Sequence, residues 1–373
     1  MLRPAIKSAH QPYTLPGHRI IVGLMQYGVA AEIQDDEEDS IARLLTLMDG
    51  TRDLDAIRAD FDRTHPGHSA ESVTEVVRDL IDQGFVEDAA APPPATLTDA
   101  QTERYRSARQ FYSWIDTTPR ESPWSVQERI GAARVVLLGL GGTGSAVAAG
   151  LVASGIGGLH CVDFDRIEPG NLTRQLLYVE SDVGEPKLAA GLRRLRAMNP
   201  HVTVTGEELR VGSAADVARL MADADVFVLC ADQPDQLIQE WTNEAALATG
   251  TPWFMSLYTG PMVVVGSFLP GRTGCYACMI RGERQREINS VGRPLTDLPR
   301  PNAVVAANAN VGGHLCALEV LYHLGGLPQQ TAGRLYHHNV ARWDHQYFID
   351  VVQDPGCPAC GERPAPPTGE PAG

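Results

Sequence analysis

Apolar residues recur at helical spacing in three segments near the start of the chain. Each segment would place its apolar side chains on one face of a helix, and Ser69 is a suitable N-cap for the third. The three sets are Ile41, Leu44, Leu45 and Met48; Leu54, Ile57 and Phe61; and Val73, Val76, Val77, Leu80 and Ile81. Two short apolar runs, 20–24 and 29–33, flank Gly28 and predict a hairpin. Residues 1–88 are therefore expected to form a small α+β domain of winged-helix character.

The pattern changes after this domain. Residues 89–98 include the Pro-rich stretch AAAPPPAT and predict a linker. A polar helical segment follows, and from the apolar strand at 134–138 strands and helices alternate to about residue 268. This alternation predicts a Rossmann-like α/β domain over 99–362, with a mainly parallel sheet and helices on both faces. The Pro- and Gly-rich residues 363–373 are expected to be disordered.

Charge and hydropathy exclude two classes of protein. The formal net charge of −15 argues against a nucleic-acid-binding protein, because such a protein needs a basic face to neutralise phosphates. No run of about 18 apolar residues predicts a membrane span, and the first residues lack the apolar core of a secretory signal. We therefore expect a cytoplasmic protein that binds neither nucleic acid nor a membrane.

A glycine-rich turn, GLGGTGS, connects the strand at 134–138 to a helical pattern. Its glycines are Gly139, Gly141, Gly142 and Gly144. Glycine lets the backbone turn tightly and approach a phosphate closely, and the helix N-terminus adds oriented N–H groups. Asp163, an acid that could hold ribose hydroxyls, follows Gly144 by 19 residues, after a second strand. The turn predicts a nucleotide site but leaves the nucleotide open, because dehydrogenases share this pattern.

The residues after the second strand narrow the choice of nucleotide. Two acids, an amide, an arginine and a lysine follow one another: Asp163, Asp165, Asn171, Arg174 and Lys187. A hydride-transfer site does not need such a set, whereas Arg and Lys stabilise the charge of a triphosphate and an aspartate can hold Mg²⁺. Asp232 follows a later apolar strand, at the end where α/β sheets bind ligands. The set favours ATP with Mg²⁺.

The segment from Arg134 to about Cys278 resembles the ThiF/MoeB superfamily, which has the fold of ubiquitin-activating enzymes. The matching motifs are GxGGxGS, DFDxxxxxNLxRQ, VGxPK, a strand ending in Cys-Ala-Asp, and two later cysteine pairs. The resemblance implies that the carboxylate of a peptide or protein C-terminus attacks the α-phosphate of ATP. The products would be an acyl-adenylate and pyrophosphate.

The same resemblance implies a role for each matched residue. Ribose would be bound by Asp163, Mg²⁺ by Asp232 with help from Asp165, and the phosphates by Asn171, Arg174 and Lys187, with Gln175 beside them. Upstream, residues 104–110 resemble the RYxRQ segment of the superfamily, whose arginine reaches the phosphates from the partner subunit of a homodimer. Two extra residues leave Arg106 or Arg109 as the match, and the following Gln110 favours Arg109.

Four of the seven cysteines form two C-x-x-C pairs. The pairs are Cys275 with Cys278 and Cys357 with Cys360. In a cytoplasmic chain such pairs are more typical of a metal site than of disulfides, and four thiolates suit tetrahedral zinc. The resemblance supports structural zinc, because superfamily members often hold it with two such pairs. The alternatives are two unrelated thiol pairs or a redox role. Cys161, Cys230 and Cys316 lie in apolar segments typical of buried thiols.

Superfamily members that pass the acyl group to a thiol carry a cysteine shortly after the first pair. The corresponding segment here, 297–313, contains no cysteine, and Pro299 stands roughly at the cysteine position. Cys316 lies later, within an apolar helical pattern. We therefore expect no covalent thioester, and direct capture of the adenylate by another nucleophile or by a group in the same substrate.

Residues 13–88 resemble PqqD-like domains, which recognise leader peptides in pathways for ribosomally synthesised, post-translationally modified peptides. The resemblance lies in the hairpin, in LMDGTRDLDAI and in VVRDLIDQGFVED. It implies that a peptide adds as a strand at the hairpin edge beside the third helix. The residues near that groove would be Val29, Ala31, Ile33, Val73, Val76 and Val77. A structural or DNA-binding winged helix is the alternative, and the acidic run at 35–39 opposes DNA.

A leader-binding domain joined to an adenylating domain without a catalytic cysteine resembles the adenylating enzymes of microcin C and pantocin biosynthesis. The implied function is ATP-dependent adenylation of a carboxylate in a leader-bearing precursor peptide. Two alternatives stay open: a non-catalytic partner that presents a leader to a cyclodehydratase, and a sulfur-carrier-protein adenylyltransferase. The retained Lys187 and Asp232 disfavour the first, and the missing cysteine and the additional N-terminal domain disfavour the second.

Overall fold

The computed structural model describes residues 2–24, 30–291 and 303–361, and the chain forms two compact units. The first unit contains the chain up to Arg129 together with Gly325–Pro328, and the second contains the rest from Ile130 onward. Among the described residues, no helix is long and apolar enough to cross a membrane.

Helices and strands follow one another along both units. The helices are α1 (Ser40–Leu47), α2 (Leu54–Asp62), α3 (Ala70–Asp82), α4 (Asp99–Ile115), α5 (Ser125–Ala132), α6 (Gly142–Ala153), α7 (Lys187–Met198), α8 (Ala214–Met221), α9 (Leu237–Thr249), α10 (Tyr276–Val291) and α11 (Ala306–Gly325). The strands are β1 (Pro4–Ile6), β2 (Tyr13–Leu15), β3 (Arg19–Val22), β4 (Ala31–Gln34), β5 (Val86–Asp88), β6 (Arg134–Leu138), β7 (Gly158–Val162), β8 (Thr203–Glu207), β9 (Val226–Leu229), β10 (Trp253–Thr259), β11 (Met262–Phe268), β12 (Arg334–Asn339) and β13 (Gln346–Asp350).

The first unit contains a three-stranded antiparallel sheet in the order β2-β3-β4 and a separate β1-β5 pair. β3 and β4 form the predicted hairpin. α3 begins after Ser69, whose hydroxyl accepts a hydrogen bond from the Ser72 amide at 3.1 Å. The apolar faces of α1 to α3 share one core with β3, in which Ile20 and Ile57 are fully buried. The pattern of apolar residues thus predicts these elements correctly.

The first unit also includes α4, so the predicted boundary at residue 88 lies inside it. Lys7 is buried, and its ammonium group donates a hydrogen bond to the carbonyl oxygen of Asp116, just beyond α4, at 2.6 Å. Arg109 of α4 lies 3.6 Å from the carboxylate of Glu87 in β5. These contacts attach α4 to the strands before the Pro-rich segment, and sequence composition does not reveal them.

The second unit is built on an eight-stranded sheet in the order β13-β12-β11-β10-β9-β6-β7-β8. Five neighbouring strands, β10, β9, β6, β7 and β8, run parallel. The strands β11, β12 and β13 extend the sheet in antiparallel pairs. The chain goes from β6 to β7 on one side and later to β9 on the other, so the strand order reverses between β6 and β9. Open α/β sheets bind ligands at such a point. The mainly parallel sheet flanked by helices confirms the predicted fold class.

Candidate active site

The glycine turn lies at the carboxyl end of β6, where the strand order reverses. Gly139 has a φ of 97°, and a Cβ there would lie 2.7 Å from the amide nitrogen of Ala231. A Cβ on Gly144 would lie 1.9 Å from the carbonyl oxygen of Gly139. Only glycine fits these two positions, so the turn packs directly against the segment that follows β9.

Gly141 and Gly142 begin helix α6. Gly141 is the N-cap residue and Gly142 is the first helical residue. A Cβ on Gly141 would contact only the side-chain nitrogen of Gln175, at 3.9 Å. The first N–H groups of a helix lack intrahelical partners, and with the helix dipole they favour an anion. The absence of a Cβ at Gly141 lets a phosphate approach these groups.

Asp163 follows β7 and fixes the glycine turn. Its buried carboxylate accepts hydrogen bonds from the backbone amides of Leu140 at 2.7 Å and Asp165 at 2.8 Å. Burial raises the pKa of this carboxyl group, while the two amides oppose the shift. Each carboxylate oxygen has a second lone pair, so the carboxylate can also accept from a ribose hydroxyl. The structure places Asp163 beside the turn, as its spacing predicts.

Lys187 and Asp165 form an ion pair at the start of α7. Lys187 is 6% exposed, and its ammonium nitrogen lies 2.8 Å from a carboxylate oxygen of Asp165. The Asp165 side chain is 50% exposed. A buried ammonium group requires a partner of opposite charge, and the open side of Asp165 gives a ligand access to the pair. A phosphate could therefore replace the carboxylate as the partner of Lys187.

Asn171 and Arg174 lie on or beside the short 3₁₀ turn Pro169–Thr173. The Asn171 side-chain oxygen accepts a hydrogen bond from the amide of Glu168 at 3.1 Å, which fixes the start of this turn. Arg174 lies against the glycine turn, because a Cβ on Gly142 would be 3.3 Å from the Arg174 Cγ. Both predicted phosphate ligands thus belong to one loop, and Arg174 is adjacent to the N-terminus of α6.

Gln175 carries a buried polar atom without a partner. The side chain is 2% exposed, and its oxygen makes no hydrogen bond. Leaving a buried polar atom unpaired costs about 1–3 kcal/mol, so such atoms in native proteins call for an explanation. Because the Gln175 amide lies beside Gly141, a nucleotide group that donates a hydrogen bond would satisfy this oxygen.

Asp232 is exposed in the segment after β9, and Tyr258 lies near the end of β10, the strand that pairs with β9. Burial raises the pKa of the Tyr258 hydroxyl, the positive charge of Arg174 opposes this shift, and the negative charge of Asp232 adds to it. The charges of two predicted site residues therefore act on Tyr258. No sequence motif marks Tyr258, and the available signal is its place near the end of the strand next to β9.

The two candidate arginines of α4 have different surroundings. The Arg109 guanidinium lies 3.6 Å from the Glu87 carboxylate and 5.7 Å from the centre of the Trp124 ring, and its side chain is 23% exposed. Arg106 is 66% exposed and pairs with Glu103 at 3.2 Å. Arg109 thus has the more restricted environment of the two.

The residues predicted to line a peptide groove divide into two groups. Val73 and Val77 are 5% and 1% exposed and belong to the core of the first unit, which corrects their assignment to a groove because their helix face packs inward. Val76 of α3 and Ala31 and Ile33 of β4 are only partly buried. Val29 lies outside the described residues. The partly buried residues therefore remain the candidates for peptide contact.

The two cysteine pairs meet, although 82 residues separate them. The Sγ atoms of Cys275 and Cys278 are 3.9 Å apart, those of Cys275 and Cys357 are 3.8 Å apart, and those of Cys278 and Cys360 are 3.4 Å apart. All four lie within 4.8 Å of one another. Tetrahedral zinc with bonds of about 2.3 Å separates its sulfur ligands by about 3.8 Å. The cluster therefore fits one zinc ion.

The other three cysteines are unsuited to nucleophilic chemistry. Burial raises the pKa of Cys161 and of Cys230 to about 12. Burial also raises the pKa of Cys316 well above its ordinary value. The thiolate is the reactive form of cysteine, and the raised pKa opposes its formation at these three positions.

Comparison with known proteins agrees with this geometry. The ThiF family profile matches residues 112–359. The sulfur carrier protein adenylyltransferase of Thermus thermophilus is 32% identical over 253 residues, which cover 64% of this chain and 86% of that protein. The structure of E. coli MccB with ATP has a TM-score of 0.73 at 23% identity, and covers 96% of this chain and 99% of that one. A structure of the microcin C7 biosynthetic enzyme MccB in complex with N-formylated MccA has a TM-score of 0.71, with the same identity and coverage. The chain therefore belongs to the ThiF family and is an ATP-dependent adenylyltransferase.

Proposed function

We propose that this protein transfers the adenylyl group of ATP to a carboxylate of a peptide. The observation that carries the proposal is the set of charged side chains connected to the N-terminus of α6. Arg174 lies against Gly142, Lys187 is buried beside Asp165, and Asp165 is linked through Asp163 to the glycine turn. A triphosphate needs this combination of an anion-binding helix start and fixed cations.

The reaction is a substitution at the α-phosphorus. A carboxylate oxygen of the substrate forms the new P–O bond, the bond to the bridging oxygen breaks, and pyrophosphate leaves with the electron pair. Negative charge grows on the leaving group, where Arg174 and Lys187 would stabilise it. The exposed carboxylates of Asp232 and Asp165 are the groups that would hold Mg²⁺, since Mg²⁺ prefers carboxylate and phosphate oxygens. Asp163 would hold the ribose, and Asn171 and Gln175 would contact the nucleotide.

The first unit supports a peptide as the substrate. The sulfur-carrier relative aligns with only 64% of this chain, whereas MccB matches 96% of it. The MccB structures include one in complex with MccA, a precursor peptide. In the first unit, β4 is one of the two edge strands of the three-stranded sheet. An extended peptide can add to such an edge through backbone hydrogen bonds, with Ala31, Ile33 and Val76 beside it. We therefore propose that the first unit recognises a leader-bearing precursor.

The cysteines support direct capture of the adenylate without a thioester. Four of the seven form a cluster that could hold a metal ion, and burial raises the pKa of the other three. A thioester-forming cysteine must ionise near neutral pH. Since the position expected for it, Pro299, lies outside the described residues, this argument rests on the chemistry of the cysteines themselves.

Two further assignments complete the proposal. One zinc ion held by Cys275, Cys278, Cys357 and Cys360 would have a structural role, because four protein ligands leave no open position for substrate. A homodimer would let Arg109 of one subunit reach the phosphates of its partner. We assign this role to Arg109 over Arg106 because Gln110 follows Arg109, as in the RYxRQ segment.

ATP–pyrophosphate exchange tests the adenylation step. A pooled library of peptides with free carboxyl termini serves as the probe, and radiolabelled pyrophosphate appearing in ATP is the readout. Lys187→Ala should lower the exchange rate by about 100-fold or more, because one fixed group that stabilises transition-state charge contributes on this order. Arg193→Ala is the matched control, since Arg193 lies on the same helix with a 54% exposed side chain. Full exchange by Lys187→Ala would contradict the site assignment.

Adenylation of a sulfur carrier protein is the second candidate, favoured by the 32% identity to the Thermus thermophilus enzyme. The same assay separates the two functions. Exchange that requires a small protein ending in Gly-Gly, with none for any peptide in the pool, would support the sulfur-carrier function. If the first unit recognises the peptide, Val76→Asp should weaken binding of an exchange-active peptide and leave the affinity for ATP unchanged.

A further inference from the structure

Arg210 and Phe164 form a stacked pair just beyond the carboxyl edge of the parallel sheet. The guanidinium carbon of Arg210 lies over the Phe164 ring, 4.7 Å from its centre. β7 and β8 run parallel and end opposite each other, at Val162 and Glu207. Phe164 follows β7 by two residues and Arg210 follows β8 by three. The pair therefore lies at the edge where α/β sheets bind ligands.

The pair extends the candidate ATP site in the direction of β8. The sheet order β6-β7-β8 places the glycine turn after the first of these strands and Asp163 after the second. Neighbouring strands are about 4.8 Å apart, so the end of β8 is about 10 Å from the glycine turn. In ATP the base and the triphosphate are attached to opposite ends of the ribose. With the phosphates at α6 and the ribose at Asp163, the base therefore extends towards Arg210 and Phe164.

We propose that the base of ATP stacks on the Arg210 guanidinium, which Phe164 supports from the other face. A guanidinium group is planar and stacks on aromatic rings. The Phe164 ring covers one of its two faces, and Arg210 is exposed, so the second face is available to the base. Among the described residues, no carboxylate forms an ion pair with Arg210 and competes for its guanidinium. The position of the ribose rests on the proposed function, whereas the pair follows from its own geometry.

Isothermal titration calorimetry with two ligands tests the proposal and requires no peptide. The ligands are ATP and inorganic tripolyphosphate, each with Mg²⁺, and the second carries the phosphates without a base. Arg210→Ala should raise the Kd for ATP about tenfold, as expected when one base loses its stacking partner. It should leave the Kd for tripolyphosphate unchanged. Arg210→Lys keeps the charge but loses the planar group, so it should not restore the affinity for ATP.

Arg219→Ala is the matched control, since Arg219 has an exposed side chain that pairs with Glu207 at the end of β8. It should leave both Kd values unchanged. Wild-type affinity for ATP in Arg210→Ala or in Arg210→Lys would overturn the stacking role, and so would an equal loss of affinity for both ligands. A lower unfolding midpoint of Arg210→Ala, with both ligands affected, would show a structural role instead. A wild-type protein that binds ATP in this way but exchanges pyrophosphate with no carboxylate substrate would refute the proposed function alone.

Discussion

Gly144→Ala measures how strictly the glycine turn depends on a missing side chain. The alanine Cβ would lie 1.9 Å from the carbonyl oxygen of Gly139 and 3.2 Å from the Cβ of Cys230. Non-bonded carbon–oxygen contacts are normally about 3.3 Å or longer, so the turn must move by about 1.4 Å. Gly144 lies in the first turn of α6, where alanine alone would stabilise the helix by about 1 kcal/mol. A backbone clash of this size costs about 3 kcal/mol, which leaves a net loss of about 2 kcal/mol.

Urea unfolding followed by fluorescence detects this loss, because Trp253 is buried in the same unit. Gly141→Ala is the matched control, since its Cβ would contact only Gln175, at 3.9 Å. This control should keep the wild-type midpoint and lower the affinity for ATP, because its methyl group would occupy the space that a phosphate approaches. A wild-type midpoint for Gly144→Ala would refute the reasoning, since the turn would then move freely to accept a side chain.

Two further predictions concern the cysteines. Inductively coupled plasma mass spectrometry of the purified protein should find about one zinc per chain. Cys357→Ser should reduce both the zinc content and the thermal stability, whereas the control Cys161→Ala should keep the zinc. Metal-free wild-type protein would contradict the site. Iodoacetamide at pH 7 should leave Cys161 and Cys230 of the native protein unmodified, because a pKa of about 12 keeps the thiolate fraction near 10⁻⁵. Modification should increase as pH rises towards that pKa, and rapid labelling of Cys230 at pH 7 in a peptide map would contradict its assignment as an inert thiol.

Local sequence signals predict the helices and strands that depend on residues close together in the chain. The helix after Ser69 follows from an N-cap and a periodic apolar face, and β6 follows from an apolar run before glycine. The sequence also predicts which residues lie around the nucleotide turn, because the carboxyl ends of neighbouring parallel strands lie at the same edge of a sheet. Asp163 could therefore be placed beside the turn from its position after β7 alone.

Long-range contacts set the limit of this prediction. Val73 and Val77 follow the same periodicity whether their face contacts a peptide or the core, and only the packing of α3 shows that they are core residues. Tyr258 has no motif around it, because its place near the end of β10 depends on how β10 pairs with β9. The metal-binding chemistry of the two pairs predicts that Cys275 and Cys357 meet, and the fold brings their Sγ atoms to 3.8 Å from each other.

The attachment of α4 to β1 and β5 has a consequence for a protein cleaved at residues 89–98. A protease that cuts there would leave Lys7 and Glu87 on one fragment and their partners Asp116 and Arg109 on the other. The Lys7 ammonium is buried with its acceptor, so separating the fragments would expose an interior that the intact unit keeps from water. The two pieces should therefore remain associated and elute together, as a split protein that reassembles through its own interior.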